Sequence, residues 1–300
     1  MNVLFTNHMP KRMSTKCIAI QPAEYLNKLG HKATYSTNPI PILNNFEVIV
    51  FSKWCDVQTL LASKKANLKT IWFADENLFS KEQVEEVLKH KDSLDGIISN
   101  HEVFTQKCRD LGFDKQLIGI VPHHHCNFNN ENVPFRESVS KVGYLGVDFQ
   151  LHNTQEIKDF LKSYNVELTL KGQESCKYED YCDIDVGIVY IDPQSEEPYS
   201  KVHRQIDYRS GVKLAKFIAW GIPSVVSPYN SYKYASKLIP ESNLFAENFE
   251  DFKEKLAKLI HDKELRKTLR ENGLKNREKL HITEVLKNYY IPFFKKIIKQ

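Results

Sequence analysis

Short apolar runs alternate with amphipathic stretches along almost the whole chain, and no other feature limits its fold so sharply. Val3–Phe5, Val48–Phe51, Thr70–Phe73, Gly96–Ile98 and Leu117–Val121 are too short for helices and largely apolar, the mark of strands buried on both faces. Helical patterns lie between them, the first from about Thr15 to Leu29, with Gly30 at its C-terminal end. The series breaks at the Asn-rich, non-periodic stretch His123–Ser138, read as an interdomain linker. It restarts with Val142–Leu145, a helix from about Thr154 to Ser163, Val166–Leu170, Ile184–Tyr190, a helix after Gly211 and a strand at Ser224–Val226. From Phe249 the chain reads as mostly helical, with Asn248 as candidate cap of a helix to Ile260 and a last helix from about Thr283 to Ile298. Strand–helix–strand order demands parallel sheets covered on both faces, so the class is α/β and the series is doubled. We expect domains over 1–125 and 126–280 and a closing helix over 281–300.

Composition narrows the partners. The 42 basic and 38 acidic residues leave a formal charge of +4, and no aromatic platform is interleaved with basic clusters, which excludes nucleic-acid readout. Six cysteines without a C-x-x-C pair argue for free thiols in a reducing compartment. Met1 runs straight into an apolar strand, with no charged-then-apolar leader, and no apolar run approaches the roughly 20 residues of a membrane span. The expected location is the cytoplasm. Lys295, Lys296 and Lys299 after Phe293 and Phe294 read as a solvated helix end, and peripheral contact with the inner membrane face stays open.

Ligands of parallel sheets bind at the carboxyl ends of the strands, so chemistry is expected in the loops Asn7–Thr15, Asp75–Phe79, Asn100–His101, Gly146–Asn153 and Asp192–Gly211. In the last of these, Ser210 is a candidate N-cap, and Gly211 lets the backbone approach a ligand. The N–H groups of Ser210, Gly211 and Val212, with Lys213 and either Arg204 or Arg209, form a candidate phosphate site. Asp75 is read either as general base or orienter of a hydroxyl, or as a turn cap. His101 is read as a cleft residue or as part of its helix's first turn. His123 and His125 share a face of an extended chain, but only Cys126 accompanies them, so no metal is expected and His123 is read as lining a cleft. Asn7, His8, Ser14 and Lys16 lie where an acceptor would approach, although Ser14 is equally an N-cap and Lys16 a solvated first-turn residue. No Ser-His-Asp order, Walker loop or G-x-G-x-x-G occurs.

Four segments together resemble the GT-B glycosyltransferases, especially the retaining group that uses nucleotide-sugar donors. They are MNVLFTNH with AEYLNKLGHKATYST, then GIISNHEVFTQKCRDLGFDKQLIGIVPHHHCN, then KVGYLG ending at Gly146, and SGVKLAKFIAWGIPSVVSP. The resemblance implies two Rossmann-like parallel-sheet domains facing across a cleft, with a final helix crossing back to bury Leu286, Tyr289, Ile291 and Phe294 on the N-terminal domain. It implies metal-independent transfer of a sugar from a nucleotide-sugar, bound mainly by the C-terminal domain at Gly146 and the Gly211 helix. The implied acceptor is a glycan or lipid-linked glycan, as in surface polysaccharide or lipopolysaccharide assembly, and no cofactor is implied beyond the donor substrate. The group's two glutamates near the donor helix are replaced here by Tyr208 and Lys216. That departure keeps two alternatives: a nucleotide-sugar epimerase or hydrolase of the same fold, and a non-catalytic partner subunit.

Overall fold

In the computed structural model residues 1–7, 9, 13–75, 81–146, 150–172, 177–192 and 209–300 are described. The chain forms two compact units. The first contains Met1–His123, Asp207–Ser210 and Ile282–Gln300, and the second contains His124–Ile206 and Gly211–His281.

The first unit carries six parallel strands: β1 (Asn2–Thr6), β2 (Lys32–Ser36), β3 (Val48–Ser52), β4 (Lys69–Phe73), β5 (Gly96–Ser99) and β6 (Leu117–Ile120). Their order is β2-β1-β3-β4-β5-β6. The second unit carries β7 (Lys141–Leu145), β8 (Glu167–Lys171), β9 (Val186–Val189), β10 (Ser224–Val226) and β11 (Leu244–Phe245), in the order β11-β10-β9-β7-β8 and again all parallel. The expected α/β class with two parallel sheets is what forms. The apolar runs missed β2 and β11, and burial explains why. Both are edge strands, and in β2 only Ala33 is buried, so neither needs an apolar sequence. Every residue of β3, by contrast, is buried.

Both units seat helices on their sheets through large side chains. In the second, Phe217, Ile218 and Trp220 of the Val212–Trp220 helix join Val142, Ile188 and Val225 in one core. In the first, the closing helical stretch packs on β5 and β6: a Cβ at Gly96 would meet Ile297 Cδ1 at 2.7 Å, and one at Gly119 would strike the Phe293 ring. The residues buried along this stretch are Ile282, Val285, Leu286, Tyr290, Phe293, Phe294 and Ile297. The expected Tyr289 and Ile291 are only partly buried. A π-helical turn, Leu286–Tyr290, interrupts the expected regular helix between Ile282–Val285 and Ile291–Lys299. Positions four apart drift about 40° around a 3.6-residue helix, and one widened turn keeps Ile282, Leu286, Tyr290 and Phe294 on a common face.

Proline is the cause. The Ile291 N–H bonds to Leu286 O, five residues back, and Pro292, which has no N–H, follows at once. The N-terminal helix repeats the device. Met13–Thr15 leads into a π turn at Lys16–Ile20, the Gln21 N–H bonds to Lys16 O, and Pro22 opens the Gln21–Lys28 segment. In both cases a wider turn makes room for a ring that a regular helix would push against the carbonyl four residues earlier. Because this helix begins at Met13, Ser14 lies inside it and does not cap it.

The stretch after His124 has almost no regular structure, yet it is firmly held. Arg266 donates to the carbonyls of Arg136 and Glu137, Arg270 to that of Val133 and Arg277 to those of Asn130 and Glu131. Arg270 and Arg277 also reach Gly221 O and Ala219 O, unpaired carbonyls at the C-terminal end of the Val212–Trp220 helix. Among the described residues no helix is long and apolar enough to cross a membrane.

Candidate functional site

Each sheet has one point where the chain reverses its direction of growth, and the crevice there is where parallel sheets hold ligands. In the first unit it lies between β1 and β3, and in the second between β7 and β9.

At the first crevice β1 ends in Asn7, whose amide donates to Ser52 O and whose Oδ1 accepts the Met9 N–H at 2.6 Å. Tyr35 donates to Asn7 O at 2.9 Å, so Asn7 shapes the loop leaving β1. Beyond β3, the Trp54 N–H bonds back to Ser52 O at 3.0 Å and closes a three-residue turn centred on Lys53, whose φ is 66°. Next to it, one residue beyond Ala74, Asp75 has φ 41° and no exposed surface. Left-handed backbones on residues other than glycine cost about 1–3 kcal/mol and gather at functional sites.

These two turns bring charge together. Lys53 Nζ stands 3.4 Å from Asp75 Oδ2, and Asn100 Nδ2 donates to Asp75 Oδ1 at 3.2 Å. His123 Nε2 lies 3.5 Å from the same Oδ1 and 3.3 Å from Ser210 Oγ. A carboxylate only accepts, so any hydrogen bond between these two groups has His123 Nε2 as its donor. Serine and aspartate meet one imidazole nitrogen here, and the proton relay of a serine hydrolase, which needs both, cannot form. Phe73 packs 6.0 Å from the His123 ring and 6.3 Å from Tyr290, ring centre to ring centre. Burial, then the charges of Asp75 and Cys17, push the Tyr290 phenol above its ordinary range, so it is neutral.

The other residues expected in this unit divide. His101 caps the Glu102–Asp110 helix, its Nδ1 accepting the Phe104 N–H at 3.2 Å, one residue ahead of the first turn where the sequence reading had it. Lys16 is exposed at the start of the first π turn, and Ser14 is partly buried. His8 lies outside the described residues. The three consecutive histidines part: His123 belongs to the first unit, His124 and His125 to the second. Burial, then the nearby His281, lowers the His125 pKa to about 3. Its ring meets that of His281 edge-on at 5.5 Å.

At the second crevice Gly146 follows β7. A Cβ there would lie 2.5 Å from Lys213 Cε and 2.7 Å from the Tyr144 hydroxyl, so any larger residue would push the Lys213 side chain off the strand end. Lys213 Nζ sits 5.4 Å from the Tyr144 ring centre and 3.4 Å from Gln150 Oε1. The N-cap of the Val212–Trp220 helix is Gly211, not the expected Ser210, and the cap itself supplies no side-chain bond. Ser210 instead turns its hydroxyl to His123, within the first unit. Beyond β9, the His152 N–H bonds to Tyr190 O and His152 Nδ1 accepts the Asp192 N–H at 3.1 Å, which ties the loops after β7 and β9. Arg209 is partly exposed, while Arg204 and Tyr208 lie outside the described residues. Lys216, where the resemblance placed a glutamate, is 5% exposed.

Sequence reading singled out Asp75 and His123 but missed Lys53 and Tyr290. Lys53 directly follows the apolar run Val48–Phe51 and Ser52, the same strand-end position that drew attention to Asp75. Tyr290 carried no such signal, because a π turn displaces it from the expected stripe.

No family model and no curated protein matches the sequence. Solved structures do. The chain is similar to a glycosyltransferase from Rickettsia africae, with 13% identity, 100% of this chain and 99% of that one covered, and a TM-score of 0.64. Anabaena Alr3699/HepE in complex with UDP matches at 10% identity, over 99% and 100% of the two chains, with a TM-score of 0.63. Sucrose-phosphate synthase from Thermosynechococcus elongatus matches at 12% identity, over 100% and 99%, also at 0.63. At these identities the likeness establishes the fold, which is that of GT-B glycosyltransferases.

Proposed function

We propose that this chain is a glycosyltransferase that moves a sugar from a nucleoside-diphosphate donor to a hydroxyl of a glycan or lipid-linked acceptor, without a metal ion. The observation that carries the reading is Lys213, laid across Gly146 at the crevice of the second sheet on the first turn of the Gly211 helix. The helix start adds N–H groups and a partial positive charge, and together they suit a diphosphate. The full-length likeness to a protein solved with UDP supports the same reading.

In the transfer, the bond from the sugar's anomeric carbon to the diphosphate oxygen breaks and a bond to the acceptor oxygen forms. The electron pair leaves with the diphosphate, and Lys213, the helix N–H groups and Arg209 or Arg204 oppose the charge that develops. The acceptor's proton passes to Asp75 or to the departing phosphate. Asn7, His8, Ser14 and Lys16 belong to the acceptor side. Lipid-linked acceptors would make the protein a peripheral visitor to the inner membrane face.

Titration calorimetry with UDP, GDP, ADP and CMP, followed by radiolabelled sugar transfer to lipid extracts, tests the reading. Binding of one diphosphate and acceptor-dependent transfer are expected. Turnover without acceptor would instead indicate an epimerase or hydrolase. Absence of all nucleotide binding would indicate a partner subunit, a reading the buried Lys216 favours.

A further inference from the structure

Among the described residues, the large apolar side chains left exposed are Met9, Ile40, Trp54 and Val103, with 37%, 50%, 38% and 45% of their surface open to solvent. Exposed apolar residues scattered singly need no explanation, but these are not scattered. Met9 follows β1, Ile40 follows β2, Trp54 follows β3 and Val103 follows β5, each within four residues of the strand's last position. The strands are parallel, so all four residues stand on the carboxyl edge of the first sheet. Met9 and Trp54 come from the two strands that bound the first crevice.

Their exposure is built in. The Met9 N–H donates to Asn7 Oδ1 at 2.6 Å, and its carbonyl accepts from Thr15 Oγ1 at 2.8 Å. Trp54 is tied to Ser52 O through its N–H. Ile40 opens the short 3₁₀ helix Ile40–Asn45, and Val103 lies in the first turn of the Glu102–Asp110 helix. From β2 to β5 the rim crosses four strand spacings, about 19 Å. Four separate points over that breadth offer a few hundred Å² of apolar surface, short of the roughly 800 Å² a side in a stable protein interface. A fluid hydrocarbon surface asks for no such continuity, and tryptophan favours its boundary with water. Charge adds little. Exposed Lys16 and Lys81, at helix starts on this edge, are offset by exposed Asp56, Glu82 and Glu102.

We infer that this rim docks on a lipid bilayer: Met9, Ile40, Trp54 and Val103 dip into the hydrocarbon boundary and bring the mouth of the first crevice to the membrane surface. The contact is apolar, so it is indifferent to headgroup charge and to salt. It deepens the glycosyltransferase reading, and rests on it, in one step: a membrane-facing crevice takes a lipid-linked acceptor rather than a free glycan. The docking itself requires no transfer.

Trp72 and Trp220 are buried, so of the chain's three tryptophans Trp54 is the one placed to meet lipid and report on it. The full-length chain is mixed with vesicles of phosphatidylcholine, of its brominated form, and of phosphatidylcholine with phosphatidylglycerol in a three-to-one ratio. Tryptophan emission should shift to the blue with the plain vesicles and be quenched by the brominated ones. Partition should differ less than twofold between neutral and anionic vesicles, and between low and high salt. Met9→Ser/Ile40→Ser should weaken it about tenfold, through the loss of two half-exposed apolar side chains from the hydrocarbon boundary, with thermal melting and UDP affinity unchanged. No quenching of the wild type overturns the inference. So does a double variant that melts normally and partitions like wild type. Binding confined to anionic vesicles and abolished by salt overturns it too, and would move the contact to the Lys295–Lys299 helix end. Vesicle binding without UDP binding would sink the transferase reading and leave the rim standing. Transfer to free glycans in preference to lipid extracts would sink only the choice of acceptor.

Discussion

Lys213 and His125 show how single side chains set measurable behaviour. Replacing Lys213 with alanine is expected to cost about 1.5–3 kcal/mol of nucleoside-diphosphate affinity, the range for hydrogen bonds to charged groups. Calorimetry should find a smaller loss for the monophosphate, which lacks the distal charge. His125 governs acid stability instead. Its pKa falls from the usual 6.5 to about 3 on folding because burial, with His281 close by, disfavours the charged ring. Between those values the unfolded chain binds a proton that the folded chain refuses. Stability from this group is therefore complete above about pH 6.5 and declines as the pH falls toward 3, by at most about 1.4 kcal/mol per unit. Urea midpoints for His125→Phe should decline less steeply across that window. Asp75 and His123 were legible in the sequence because polar residues directly after apolar strands stand out. What gathers around them was not legible, since Lys53 and Ser210 arrive from 22 and 135 residues away from Asp75.

At the scale of elements, the polar stretch after His124 is the instructive case. It read as a linker because it lacks periodicity, and it does lack helix and strand. What the sequence hid is where its carbonyls go: to Arg266, Arg270 and Arg277, spaced four and seven residues apart and so aligned on one helical face and its continuation. Arg270→Met keeps the apolar stem but leaves Gly221 O and Val133 O without their guanidinium donors. A loss of about 2–4 kcal/mol is expected from chemical denaturation, with Arg270→Lys recovering only part, because an ammonium cannot reproduce the planar fork. Caps were easier to foresee. Asn248 does accept the Asp251 N–H as its sequence context implied, whereas the cap assigned to Ser210 failed because a histidine claims its hydroxyl. The π turns escaped notice because Pro22 and Pro292 sit where a regular pattern appears to continue.

For the whole molecule, the parallel sheets were readable because strands buried on both faces must be apolar runs. The ownership of the chain's last segment came only from the family resemblance, since an amphipathic helix does not by itself name the sheet it covers. Phe293, Phe294 and Ile297 are buried in the first unit, and at about 1.5–3 kcal/mol each they supply roughly 5–9 kcal/mol. That is comparable to the net stability of a domain. Ending the chain at His281 should therefore melt the first unit while sparing the second. Hydrogen exchange would register this as lost protection in β5 and β6 with β7 and β9 unchanged, and equal protection in all four strands would refute it.

The return of the C-terminal helix to the first sheet also dictates a timetable. A ribosome finishes β6 long before it makes Phe293, and at 5–20 residues per second the interval is on the order of ten to thirty seconds. Throughout it, Gly96 and Gly119 mark a bare greasy wall waiting for its cover. Cells making this protein must shield that wall during synthesis, and yield should depend on chaperone supply more than on the finished fold's own strength.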